Sequence, residues 1–304
     1  MINEKSFDKL VQGKQVGLYT IESATGLKAQ ITNYGAKIVT LFVPQADGTL
    51  VDVVLGFSTL DEWLAQEVYF NGINGRVAGR ISYAQAEIDG QLYHFTQNSG
   101  EHTLHGGTHG FNDKVWDVQE VTANSISLHY LSPDGEEGFP GNMHVVVRYV
   151  VEGNDLNIYY DANTDQATII NLTTHAYFNL NGEGNGNILG HILQMNASEY
   201  LPTDATQIPL GESAPVAGTP MDFVSGKPVG QDINEDFEPL KIGKGYDHCW
   251  VIDGHQAGQL QFCCELYAPE SGRVLSVYTT QPGVQIYTGN WLAGSPVAKC
   301  GRSY

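Results

Sequence analysis

Short segments of alternating polar and apolar residues, closed off by turn residues, recur along almost all of the 304-residue chain, while helix-period segments hardly occur. The stretch "LKAQITNYGAKIVTLFVP" runs through the turn "QADGT" into "LVDVVLGF". Further on, "SISLHYL" and "MHVVVRYVV" alternate well, and the turn "EGND" joins the latter to "LNIYYDANT". Near the end, "QFCCELYAP", "ESG" and "RVLSVYTTQPGVQIYTGNWL" repeat the pattern. A period of two buries one face of a strand, and closely spaced strands without intervening helices pair as antiparallel neighbours. The best helix candidate is "STLDEWLAQ", with Ser58 or Thr59 as its cap. The 35 glycines and 12 prolines, spread along the chain, supply the tight turns that an antiparallel sandwich or barrel needs. The stretch from Glu183 to Lys244 is loop-rich, yet strands of the same character flank it. Residues 1–304 therefore read as a single domain with long loops.

Charge narrows the partners. With 34 acidic and 15 basic residues the formal net charge is −19, a field that repels nucleic-acid phosphates and anionic lipid and is compatible with a neutral ligand. No run approaches the ~18–20 apolar residues that span a bilayer. The opening "MINEKSFDKL" lacks the apolar core of a secretory leader. Cys249, Cys263, Cys264 and Cys300 show no CxxC spacing, which disfavours a disulfide framework or a zinc knuckle and makes a reducing cytoplasm the expected setting.

Four segments carry candidate chemistry. In "INLTTHAYFNLNGEG", His175 sits at the end of a strand-like stretch, where an imidazole is able to exchange a proton near neutral pH. In "NSGEHTLHGGTHGF", His102, His105 and His109 invite a metal reading, but the loop-like context lacks HExxH. A single buried imidazole, His105, with Gly106 and Gly107 admitting a close backbone approach, is the better reading. In "INGRVAGRISY", Arg76 and Arg80 read by default as a solvated pair, although an arginine fork also donates to hydroxyl oxygens. In "GKGYDHCWVI", Asp247 at a strand edge either accepts from hydroxyls or caps a turn. In "TTQPGVQIYTGNWL", the period of two puts Gln285 and Tyr287 on one face. No GxSxG elbow, Walker loop, dinucleotide fingerprint or complete calcium loop occurs.

Taken in order, "GRVAGRI", "HTLHGGTHGFNDKVW", "DGEEGFPGN", "NLTTHAYFNLNG", "EYLPTD", "GYDHCW" and "TTQPGVQIYTGN" resemble the aldose 1-epimerase (galactose mutarotase) family from about Ile2 to Leu292. The resemblance implies an all-β antiparallel supersandwich of the galactose mutarotase type. It implies interconversion of the α and β anomers of free hexoses such as galactose and glucose. It gives His175 as the general acid that protonates the ring oxygen and His105 as a group that binds and polarises the sugar. Arg80, Asp247 and Gln285 would hold ring hydroxyls. No metal or organic cofactor is implied; the partner is a small aldose rather than nucleic acid or membrane, and the expected assembly is a monomer or homodimer.

Two departures accompany the likeness. Gly79 stands where many relatives have Asn. The family's base is a glutamate in a "GFCLETQ"-like strand after "QIYTGN", whereas nothing after Glu270 is acidic here, so the family's C-terminal strands are expected to be missing from these 304 residues. A non-catalytic sugar-binding module is the alternative that this departure favours. An epimerase of phosphorylated hexoses is a third, which the acidic composition argues against.

Overall fold

The computed structural model describes residues 1–65, 69–292 and 297–304, and the chain divides into two compact units. Every strand ladder among the described residues is antiparallel, and helices are few and short. The expected all-β class is met.

The first unit comprises Met1–Phe178 and Pro296–Arg302. One four-stranded sheet runs in chain order through Leu18–Glu22, Lys28–Thr32, Lys37–Pro44 and Leu50–Asp52. A second runs through Asp117–Val121, Ser125–Ser132, Met143–Glu152 and Asp155–Thr164. In Met143–Glu152 the alternation read from the sequence is complete: Met143, Val145, Val147, Tyr149 and Val151 are buried, while His144, Arg148 and Glu152 are exposed. Each large apolar side chain so buried contributes roughly 1.5–3 kcal/mol, and a one-residue slip would expose all five. The "LVDVVLGF" strand stops at Asp52 for a local reason. The Asp52 carboxylate accepts from the backbone N–H groups of Leu41 and Val54 (3.0 and 3.2 Å), taking the place of a ladder carbonyl.

The predicted helix forms over Leu60–Leu64, and Thr59 rather than Ser58 caps it in a reciprocal box with Glu62. The end expected at Gln66 lies outside the described residues. Leu60 and Trp63 are its buried face.

The second unit comprises Asn179–Ser295 and Ser303–Tyr304. One sheet has the order Lys227–Pro228, Ile192–Met195, Gln261–Ala268, Arg273–Thr279. The other has Ala214–Pro215, Glu199–Leu201, Asp247–Val251, Gly283–Tyr287. The loop-rich stretch thus holds four strands of two to four residues, too short for a period to register. It also holds a helix over Glu238–Gly243, opened by Pro239 and closed by Lys244 in the left-handed region.

The core of this unit gathers Met221, Phe223, Tyr246, Trp250, Cys263 and Cys264. The Trp250 indole N–H donates to the Met221 carbonyl and the Tyr246 hydroxyl to the Pro220 carbonyl, so both aromatic polar groups are satisfied. Adjacent residues on a strand normally face opposite ways. A register shift between Phe262 and Cys264 breaks that rule and sends both Cys263 and Cys264 into the core as free thiols.

Candidate active site

Two short ladders of the first unit bring distant histidines together. Ile73–Asn74 pairs with Thr173–Thr174, and Arg80–Ile81 pairs with Thr103–Leu104. Residues 73 to 81 form one continuous segment, so His105 and His175, each one position beyond its ladder, meet beside it. Their ring centroids lie 5.2 Å apart at 85°. The Tyr69 ring stands edge-on to His105 (4.5 Å), and Tyr177 stacks beside His175 (5.1 Å).

The His105 tautomer follows from its neighbour. Its Nδ1 accepts from the Gly79 backbone N–H (3.1 Å), so the ring proton sits on Nε2, which is thereby a donor. Desolvation, then the His175 and Arg80 charges, hold the His105 pKa well below the usual imidazole value, so it is neutral at pH 7. Asn71, with its side chain fully buried, fixes the His175 segment. Its N–H donates to the His175 carbonyl (2.8 Å) and its side-chain oxygen accepts from the Tyr177 N–H (3.0 Å).

Glycine is required where the sequence placed it. Gly106 has φ +91°, and a Cβ there would lie 1.8 Å from the Gly75 carbonyl oxygen. Glu137, from "DGEEGFPGN", secures the following loop by accepting from the N–H groups of Thr108 and His109 (2.9 and 3.2 Å). The three clustered histidines have separate tasks. His102 is buried and its Nδ1 accepts from the Tyr83 N–H, His105 faces His175, and exposed His109 pairs with Asp113 at 3.0 Å. Among the described residues no three His, Cys, Asp or Glu side chains converge as a metal cage would require.

Arg76 corrects the default of a solvated pair. It is 1 % exposed, and its guanidinium donates to the carbonyls of Ser132, Pro133, Pro140 and Gly141 and to the Ser132 hydroxyl. It clamps the "SPDGEEGFPG" loop from within, a planar fork saturated by four carbonyls. Arg80, by contrast, is partly exposed and close enough for its charge to act on His105.

In the second unit, Asp247 and Gln285 are in direct contact. Asp247 opens the Asp247–Val251 strand, and Gln285 lies on the neighbouring Gly283–Tyr287 strand, its amide donating to Asp247 Oδ1 (2.9 Å). Gln207 was not singled out from the sequence. It donates to the other oxygen, Oδ2, also at 2.9 Å. Its one sequence signal is its place just after "EYLPTD". Tyr287, expected on the Gln285 face, accepts through its hydroxyl from the Trp291 N–H (2.9 Å).

Comparison with known proteins identifies the family. The sequence profile of the family described as aldose 1-epimerase matches residues 17–303. The chain belongs to the aldose 1-epimerase family. It is 42 % identical over 278 residues to galactose mutarotase of Homo sapiens, covering 91 % of this chain and 79 % of that protein. It is 37 % identical over 298 residues to aldose 1-epimerase of Haemophilus influenzae, covering 97 % and 85 %. Among solved structures, an aldose epimerase homologue from C. elegans superposes with a TM-score of 0.86 at 31 % identity, covering 95 % of this chain and 86 % of that one. As expected for this family, the fold is of the galactose mutarotase type.

Proposed function

We propose that this aldose 1-epimerase interconverts the α and β anomers of free hexoses such as galactose and glucose. The observation that carries the reading is the contact between His175 and a neutral His105 whose Nε2–H is a donor. Burial and the neighbouring charges hold His105 neutral, which leaves the role of general acid to His175. His175 gives that proton to the ring oxygen, while a carboxylate base takes the proton of the C1 hydroxyl. The C1–ring-oxygen bond breaks, the C1–C2 bond rotates, and the ring closes with the proton transfers reversed. No acidic residue follows Glu270 in these 304 residues. His105 donates to a sugar oxygen, and Arg80 donates to ring hydroxyls. Asp247 and Gln285 hold hydroxyls in the second unit, the carboxylate through the lone pairs that its two amide partners leave open.

The family profile runs unbroken across 17–303, which supports treating residues 1–304 as one functional domain. The net charge of −19 supports a partner that is neither nucleic acid nor anionic membrane, and no helix among the described residues is long and apolar enough to cross a bilayer. A cytoplasmic monomer or homodimer acting on a small aldose completes the reading.

The test is the optical rotation of freshly dissolved α-D-galactose with and without the protein, corrected for spontaneous mutarotation. Accelerated relaxation is expected. A folded sample that leaves the relaxation time unchanged would overturn the reading.

A further inference from the structure

The "EYLPTD" segment takes no part in the chemistry above, yet it is built around one side chain. The Glu199–Leu201 strand pairs with the Asp247–Val251 strand, which on its other edge pairs with Gly283–Tyr287. Asp247 therefore opens the strand between two neighbours, and each neighbour supplies one glutamine to it. Gln285 comes from the Gly283–Tyr287 strand itself; Gln207 comes from the turn that follows Glu199–Leu201. That turn is organised by Asp204. Its Oδ1 accepts from the Thr206 N–H and hydroxyl and from the Ile208 N–H, and its carbonyl accepts from the Gln207 N–H. Gln207 itself sits at φ +65°, a conformation uncommon for a non-glycine residue, and from there reaches Asp247 Oδ2.

We propose that Gln207 is a positioning residue that, with Gln285, fixes the Asp247 carboxylate for a sugar hydroxyl and so helps to set the affinity for the aldose. The inference rests on reading Asp247 as a hydroxyl acceptor. A carboxylate on a free side chain rotates about two bonds, whereas one held at both oxygens presents its remaining lone pairs in one direction. Gln207 thus acts on substrate through another residue, and its removal loosens an acceptor rather than deleting one.

The test is polarimetric kinetics on α-D-galactose for the wild type and for Gln207→Ala, Gln207→Glu and Asp247→Asn, each shown folded by circular dichroism and compared with the wild type at every pH. Gln207→Ala is expected to raise KM about tenfold, with a smaller change in kcat, since misorienting one binding group costs on the order of a hydrogen bond. Gln207→Glu is nearly isosteric and supplies the discriminating result. Near pH 5 its protonated carboxyl donates to Asp247 as the amide did, and KM stays near the wild-type value. As the pH rises to about 8 the pair becomes two facing carboxylates, and KM climbs about tenfold relative to wild type. A residue that only braced the turn would not produce that pH dependence. KM values for both Gln207 variants within about twofold of wild type across the range, with Asp247→Asn raised, overturn the proposal alone. An unchanged KM for Asp247→Asn removes the reading of Asp247, and the proposal with it.

Discussion

His105 and His175 meet at 5.2 Å, and on the proposed reading they do different work, His175 as the acid and His105 as a neutral donor. His175→Ala is expected to lower kcat by roughly 10²–10⁴-fold, the usual contribution of a positioned acid or base, with the melting temperature little changed. Polarimetry and a thermal melt on the same sample check both halves. The depressed His105 pKa has a second consequence. Below its unfolded-state value near 6.5 the unfolded chain takes up a proton that the folded chain refuses, so stability is full above that pH and declines as the pH falls toward the lower folded value. His191 and His248, both lowered first by burial, act in the same direction. The melting temperature should therefore fall as the pH drops from about 7 to 5, and less steeply in His105→Gln. At this scale motif order singled out His105, His175, Asp247 and Gln285, and the structure brings the two histidines into contact and joins Gln285 to Asp247, a pairing that no local pattern announced. Arg76 was misread because its four carbonyl partners lie 56 to 65 residues away, where no local pattern points.

Elements carry these residues into place through very short ladders. The Ile73–Asn74 and Arg80–Ile81 pairings are two residues long, so the loops around them must be braced from elsewhere. Arg76 is the principal brace. Arg76→Met leaves four inward-facing carbonyls without their donor, and stability should fall by about 3–5 kcal/mol, as when one partner of a buried charged network is removed. Urea unfolding of the variant checks this, and Arg76→Lys, with a single ammonium in place of the planar fork, should recover only part of the loss. Long strands were legible because five buried side chains on one face announce a period of two. The helix at Glu238–Gly243 was not. It is six residues long, has no side-chain cap, and buries only Leu240 and Gly243, too little to register as amphipathic. The run "RVLSVYTTQPGVQIYTGNWL" repeats the strand pattern and holds two strands, one ending at Thr279 and one starting at Gly283, which lie in different sheets. A proline at position 282 both removes a ladder donor and permits the turn.

For the molecule as a whole, a charge of −19 is a field that a neutral sugar does not feel. Raising the ionic strength from about 0.01 to 0.15 M shortens the Debye length from about 30 to 8 Å, yet should leave kcat/KM for galactose within about twofold, because an uncharged substrate is not steered. The same change should raise the melting temperature by screening the excess of carboxylates. Stopped-flow polarimetry and calorimetry over a salt series test the two together, and a strong salt effect on kcat/KM would instead indicate a charged substrate.

The bulge beside Phe262 gives the second unit a built-in clock. Cys263 and Cys264 point together into the core, whereas Cys249 and Cys300 are partly accessible. An alkylating reagent should therefore consume the thiols in two phases, and the slow phase measures how often this half of the protein breathes open far enough to admit a small molecule. With saturating sugar, a slowed second phase would show that binding restrains this core, and an unchanged one that it does not.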